Sequence, residues 1–379
     1  MALVLTEEQE LLKETAHEFI QEQSPVSEFR RLRDSVDESG FDRKLYAQMA
    51  ELGWMGVIYP EEYGGLDLGY LELGQIFEEC GRGLVAQPLL ATVVLGGGCI
   101  LEGGNDLQRK DILTQISTGD RLLSLAFQES AHHNPYGIST SAELSGNHFV
   151  LSGKKTFVLD GHVADQIVVV ARTSGKAGDR DGLTLFLVDA GAEGVTVNRT
   201  IMLDGRNAAN VHLDAVKVEK AAVIGELDAG ADVLDPVLDR ATAILCCEMM
   251  GTLSEAFDKA LEYLKTREQF GVLIGSFQAL KHRAANMFVE SELSRSILLD
   301  ALSAVDEGRD NSAQVVSCAK ARLNDSLILI CNEAVQMFGG IGVTDEEDIG
   351  LYLKRARVMA AAFGDSSWHR ARYASLGGY

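Results

Sequence analysis

Apolar positions change their rhythm twice along this chain. Up to about residue 118 the spacing is helical. Thr6-Glu7-Glu8-Gln9 is a capping box that opens a first helix, and Leu11, Leu12, Ala16, Phe19 and Ile20 follow at helical intervals. Leu45 to Gly53 and Leu71 to Cys80 repeat that pattern, with a loop forced between them by Tyr59-Pro60 and Gly64-Gly65. From about residue 120 the period shortens. Leu122 to Phe127, His148 to Ser152, Gln166 to Ala171, Leu183 to Val188, Val195 to Val197 and Val211 to Val218 are short Val-, Leu- and Ile-rich runs divided by Gly, Asn and Asp. They predict the strands of a β-barrel or sandwich. From about residue 231 long helical patterns return: Val237 to Lys265, Gln278 to Asp306, Ser312 to Phe338 and Asp345 to Phe363. The expected organisation is multidomain α+β, with an α-helical domain over 1–118, a middle β domain over 119–230 and a helical bundle over 231–379.

Composition narrows the function classes. The 379 residues exceed one small core and suit two or three packed subdomains. The net charge of −22 argues against nucleic acid and anionic membrane surfaces, which demand basic patches. An anionic ligand would then need local Arg, Lys or helix N-termini. Gly83 to Leu101 runs 19 residues without a charge, but Gln87, Pro88, Thr92 and Gly96 to Gly98 suit a buried helix better than a membrane span. The six cysteines form no C-x-x-C or metal-type cluster, which points to reduced thiols in a cytoplasmic protein. The acidic, helical N-terminus reads as neither a signal peptide nor a transit peptide. Adjacent His132 and His133 rarely converge on one ion, so no metal site is expected.

The chemistry concentrates first in Thr266-Arg267-Glu268-Gln269-Phe270-Gly271. Arg267 offers a bidentate fork to phosphate oxygens, Phe270 a face for stacking, and Gly271 a backbone that can approach closely or turn with positive φ. The trio suits a nucleotide with a pyrophosphate; by itself it suits a helix end with a surface Arg equally well. Gln278 and His282 follow four residues apart, with His282 read as a core histidine. Residues 267–287 (REQFGVLIGSFQALKHRAANM) resemble the acyl-CoA dehydrogenase flavoprotein family. Pro60 to Gly65, Leu151 to Phe157, Ala164-Asp165 before a β run, and Gln336-Met337-Phe338-Gly339-Gly340-Ile341-Gly342 agree with that family in order and spacing. The segment from Gly342 to Ala356 is most like bacterial members acting on bulky acyl-CoAs, including steroid side-chain CoAs.

The resemblance implies a fold of N-terminal α domain, middle β domain and C-terminal four-helix bundle. It implies that FAD takes a β-hydride at N5 while a carboxylate removes the α-proton of an acyl-CoA thioester, leaving 2,3-enoyl-CoA. Electrons would pass to an electron-transfer flavoprotein or similar acceptor. It also implies a homotetramer, or a heterotetramer of two related subunits. Arg267, Phe270, Gly339 and Gly340, helped by Gln269, Gln278 and Gln336, would hold the adenosine side of FAD on a neighbouring subunit. Phe127, Gln128 and Phe157 would face the flavin ring. There the chain departs from the family: Gln128-Glu129-Ser130-Ala131-His132-His133-Asn134-Pro135 stands where Thr-Glu-Pro-x-Ala-Gly-Ser-Asp is usual, and Leu159 replaces a Thr.

The base is open. Phe363 stands where many members carry Glu. Glu248 is the first candidate. At 100° per residue, Val237, Ala241, Ile244, Leu245 and Thr252 fall within about 60° of it, so it projects from an apolar stripe, with Gly251 leaving room beside it. Unpaired there, its pKa would rise toward that of a useful base. Paired with an Arg or Lys from another helix, it would be structural. Asp365 is second, with helix capping as the competing reading. Two functions therefore stand: an acyl-CoA dehydrogenase using its own carboxylate, or a non-catalytic partner subunit that donates adenosine-side FAD contacts to a neighbour.

Overall fold

The computed structural model describes residues 4–379. In chain order the first helices are α1 (Glu7–Gln23), α2 (Val26–Ser35), α3 (Arg43–Glu51), α4 (Tyr70–Arg82) and α5 (Gly97–Gly103), followed by the single turns α6 (Asp106–Gln108) and α7 (Thr114–Ser117). Eight strands come next: β1 (Leu123–Ala126), β2 (Ser141–Ser145), β3 (His148–Leu159), β4 (Gln166–Arg172), β5 (Leu183–Asp189), β6 (Val195–Ile201), β7 (Asn207–Glu219) and β8 (Val223–Ile224). The remainder is α8 (Ala231–Thr266), the pair β9 (Glu268–Gln269) and β10 (Val272–Leu273), α9 (Gln278–Asp306), α10 (Ser312–Phe338), α11 (Ile349–Ala361) and α12 (Ser366–Leu376).

The chain divides into two compact units. One takes the residues up to Arg31, Tyr70–Val85 and Thr242–Tyr379; the other takes Leu32–Gly69 and Ala86–Ala241. In the helical unit the capping box forms as its residues predict. Thr6 Oγ1 accepts the Gln9 N–H at 3.2 Å, and Gln9 Oε1 accepts the Thr6 N–H at 3.0 Å. Helix α10 packs against α9, α11 and α12. Its length and apolarity alone would also suit a membrane span, and this packing is how a core helix meets the same description. Helices α4 and α8 cross backbone to backbone. A Cβ on Gly251 would stand 1.7 Å from the Glu78 carbonyl oxygen, and one on Gly81 would stand 2.1 Å from that of Glu248.

The second unit is built on one mixed sheet in the order β6-β7-β3-β2-β4-β5-β8, with β1 parallel to β4. Its end strands do not pair, so the expected barrel is an open sheet rather than a closed one. Phe149 and Phe186 meet edge to face at 5.0 Å among Leu151, Val169, Val211 and Val216 in its core. The polar strand β2 carries too few apolar residues to show in a periodicity scan; only Ala142 of its five residues is buried. The uncharged stretch before it becomes buried helix through Leu90–Gly103. Tyr59 Oη donates to the Val93 carbonyl at 2.7 Å, so close to Gly97 that any side chain there would collide with the ring.

Candidate cofactor and active-site residues

In the helical unit, α8 ends at Thr266 and the chain reverses through β9 and β10, paired Gln269 to Val272 and Glu268 to Leu273. The two residues between them are Phe270 (φ 55°) and Gly271 (φ 76°), the backbone of a two-residue hairpin with positive φ at both positions. Gly adopts this freely, but a bulky side chain does so at a cost. Phe270 is nonetheless 92% exposed, with only an edge-on contact to Phe277 at 6.2 Å. Arg267 and Gln269 are exposed beside it, Gln269 Nε2 donating to its neighbour's carbonyl at 2.8 Å.

Tyr263, one turn before Arg267, stacks on Phe338 at 4.3 Å, so the ends of α8 and α10 lie together. Helix α10 then stops at Gly339 (φ 67°, ψ −138°), a conformation nearly reserved for glycine. Nothing stands within 4 Å of where a Cβ on Gly271, Gly339 or Gly340 would lie, so these backbones are open to a ligand. Gln336 and Gln278 are exposed. His282 is exposed too, 3.3 Å from Gln278 Nε2, which corrects its reading as a core histidine.

In the sheet unit, Phe127 is buried where it leaves β1, and the His133 ring meets it edge-on at 5.8 Å. The Gln128 carbonyl accepts the Thr156 N–H at 2.8 Å, tying this segment to β3. Strand β3 slips register between Lys155 and Val158, and within that bulge Phe157 takes φ 52° with half its surface exposed.

The carboxylates are engaged. Glu248 is buried on α8, but it is not unpaired. Its Oε1 accepts Arg355 Nη2 at 2.7 Å and Nε at 3.0 Å, from a buried guanidinium on α11. Gly251 leaves no room beside it, because α4 fills that space. Asp365 is the N-cap of α12, accepting the Trp368 N–H at 2.8 Å. Directly before Asp365 lies the turn of Phe363 (φ 57°) and Gly364 (φ 109°). His369 Nε2 donates to the Phe363 carbonyl at 3.0 Å; Lys320 Nζ and Asn324 Nδ2 donate to that of Gly364 at 3.2 and 3.4 Å. Lys320 also donates to Asn324 Oδ1 at 2.7 Å and the Met359 carbonyl at 3.0 Å, capping the end of α11. Burial pulls its pKa down to about 8.

Sequence reasoning missed Arg355, Lys320 and the partnership of Lys155 with Glu129. The last two residues lay inside quoted motifs; nothing in local spacing announced the pairing.

The observed features fit FAD: an exposed aromatic beside an Arg on a strained hairpin, unobstructed glycine backbone at a helix end, and an exposed aromatic on a bulge. Comparison with known proteins agrees. The N-terminal, middle and C-terminal domains of acyl-CoA dehydrogenases match residues 6–120, 128–216 and 228–375. The chain is 31% identical over 317 residues to the glutaryl-CoA dehydrogenase of Desulfococcus multivorans, covering 81% of each. It is 29% identical to the Caffeyl-CoA reductase–Etf complex subunit CarC of Acetobacterium woodii, covering 96% of each. Among solved structures, the ChsE4–ChsE5 complex from Mycobacterium tuberculosis superposes with a TM-score of 0.90 at 26% identity, covering 100% of this chain and 99% of that one. The chain belongs to the acyl-CoA dehydrogenase family. It is accordingly part of an FAD-dependent α,β-dehydrogenation of an acyl-CoA thioester to 2,3-enoyl-CoA.

Proposed function

We propose that this chain is the cofactor-holding subunit of a heteromeric acyl-CoA dehydrogenase, and that a carboxylate on a paralogous partner takes the α-proton. The observation that carries this reading is Glu248: two N–H groups of Arg355 converge on one of its oxygens in a buried site. A base must be free to accept a proton, and this carboxylate oxygen already accepts two charge-assisted N–H bonds. The other positions offer no substitute, since Phe363 cannot take a proton and Asp365 caps a helix.

Bound FAD supplies the hydride acceptor. Arg267 is the group suited to its pyrophosphate, Phe270 to stacking its adenine, and Gly339 and Gly340 to close backbone approach; Phe127, Gln128 and Phe157 serve the ring side. Exposed Phe288, Val289 and Leu293 on α9, with Val343 beyond α10, support assembly into a tetramer. The likeness to an Etf-complex subunit supports an electron-transfer flavoprotein as acceptor.

The test is anaerobic titration of the purified, flavin-loaded chain with short, branched and bulky acyl-CoAs, for wild type and Glu248→Gln, with dithionite as the reducible control. Neither protein should bleach with any acyl-CoA, while both bleach with dithionite. Bleaching of wild type that disappears in Glu248→Gln at equal flavin content would place the base on this chain and overturn the proposal.

A further inference from the structure

Lys155 is wholly buried in the sheet unit, and its partner is Glu129, with Nζ to Oε1 at 2.6 Å. The Glu129 carboxylate also accepts the Ser139 N–H on Oε2 at 2.7 Å and the Thr140 N–H on Oε1 at 3.0 Å. One side chain therefore closes a segment at both ends, since Gln128 and Glu129 open it and Ser139 and Thr140 finish it. Arg172 fixes the far part of the same segment. Its guanidinium donates to the carbonyls of Tyr136 and Ile138 at 3.1 Å, and to those of Ser174, Asp179 and Asp181 at 3.3, 2.8 and 2.9 Å.

On β3, residues two apart should share a face. Lys155 and Phe157 do not: the first is buried and the second half exposed, because the bulge falls between them. Buried ion pairs of this kind add little net stability over apolar residues of the same volume. Apolar residues, however, could not take the two N–H groups at Ser139 and Thr140. Burial pulls the Lys155 pKa down to about 8, with the Glu129 charge opposing that pull. Burial raises that of Glu129, but Lys155 and the N–H donors outweigh it and leave it below the usual carboxylate range, so both are charged at neutral pH.

We infer that Lys155 and Glu129 are positioning residues for the flavin-ring side of the cofactor site: their ion pair holds the 128–140 segment in register with the bulge that turns Phe157 outward. The segment departs from the usual family sequence, yet its backbone is fixed by two buried cations and one half-buried carboxylate. The ring side is thereby pre-organised in this chain without a partner's help. This rests on the FAD reading and is independent of where the base lies.

The experiment uses the full-length chain stripped of flavin. FAD is titrated by quenching of its fluorescence and ADP by calorimetry, for wild type, Lys155→Met and Glu129→Gln. Both variants should bind FAD weaker by about tenfold or more, and ADP within about twofold of wild type, because only the ring side loses its support. The resolved shoulders of the bound flavin's visible band should blur in both. Folded variants that bind FAD like wild type would overturn the inference, and so would variants that lose FAD and ADP equally, since that pattern marks a general structural role. Should Lys155→Met fail to fold, Glu129→Gln, which keeps size and hydrogen-bonding groups, decides the matter. Failure of the wild-type apoprotein to bind FAD would instead remove the FAD reading itself.

Discussion

Phe270 and Phe363 have nearly the same backbone, φ 55° and 57°, each followed by a glycine with positive φ. Their surroundings are opposite. Phe270 is 92% exposed on a hairpin; Phe363 is 6% exposed in a turn whose two carbonyls are taken by His369, Lys320 and Asn324. Backbone strain of this kind persists only where surrounding structure or function maintains it. At Phe363 the surrounding structure is visible and complete. At Phe270 only the short β9–β10 pairing holds the turn, and the ring itself is left exposed. The turn at Phe270 is open, while the turn at Phe363 is closed and satisfied.

That contrast breaks most readily at the closed side. Arg355→Met leaves the Glu248 carboxylate buried without its guanidinium and should cost about 3–5 kcal/mol of stability. Urea unfolding measures it, and a loss under about 1 kcal/mol would mean that water or another cation already serves Glu248. Any folded fraction should keep its FAD.

The open side should respond the other way. Phe270→Ala removes a stacking face worth about 1–3 kcal/mol, so FAD affinity should fall about tenfold or more. The melting temperature of the apoprotein should stay put, because the ring touches little else. A drop in melting temperature with unchanged affinity would reverse the comparison.

Titration sharpens it further. Lys320 has its pKa pulled below the unfolded value of 10.5 to about 8. Between those limits the unfolded chain holds more protons, so this lysine's contribution to stability rises as pH climbs through about 8. Wild type should gain on the order of 1 kcal/mol relative to Lys320→Met between pH 8 and 9. The difference between the two proteins removes the buried thiols Cys99 and Cys331 from the comparison; burial raises their pKa and makes stability fall as pH climbs above the ordinary thiol range. A flat difference would mean that the folded-state Lys320 amine stays charged throughout, as in the unfolded chain.

Much of this architecture was legible in the sequence because it is local. Gln278–Asp306 and Ser312–Phe338 form helices with the bounds their periodicity predicts, and the Thr6 capping box forms. The Arg267–Gly271 hairpin was legible as a motif, although its positive φ at Phe270 was not. What escaped depends on distant partners. Glu248 projected from an apolar stripe as expected, but Arg355, which answers it, lies 107 residues further on and on another helix. Gly251 looked like space beside a carboxylate; it is the contact that lets α4 and α8 touch, and only the crossing reveals it. Barrel and sandwich stayed alternatives for the same reason, since whether the edges at β6 and β8 pair is not written in either strand.

The smallest expected effect separates two roles for one residue. Asp365 accepts the Trp368 N–H at 2.8 Å, so Asp365→Ala should cost about 1 kcal/mol of stability. Asn caps a helix as well as Asp does but cannot take a proton. Asp365→Asn should therefore restore the melting temperature lost in Asp365→Ala. If Asp365 serves only as a cap, the Asn variant should also match wild type in flavin reduction by acyl-CoA once the chain is assembled with whatever partner makes it active. If Asp365 were the base, the same variant would keep its melting temperature and lose reduction entirely. One substitution thus asks whether Asp365 retains any chemistry, and a stable protein with dead flavin reduction would show that it does.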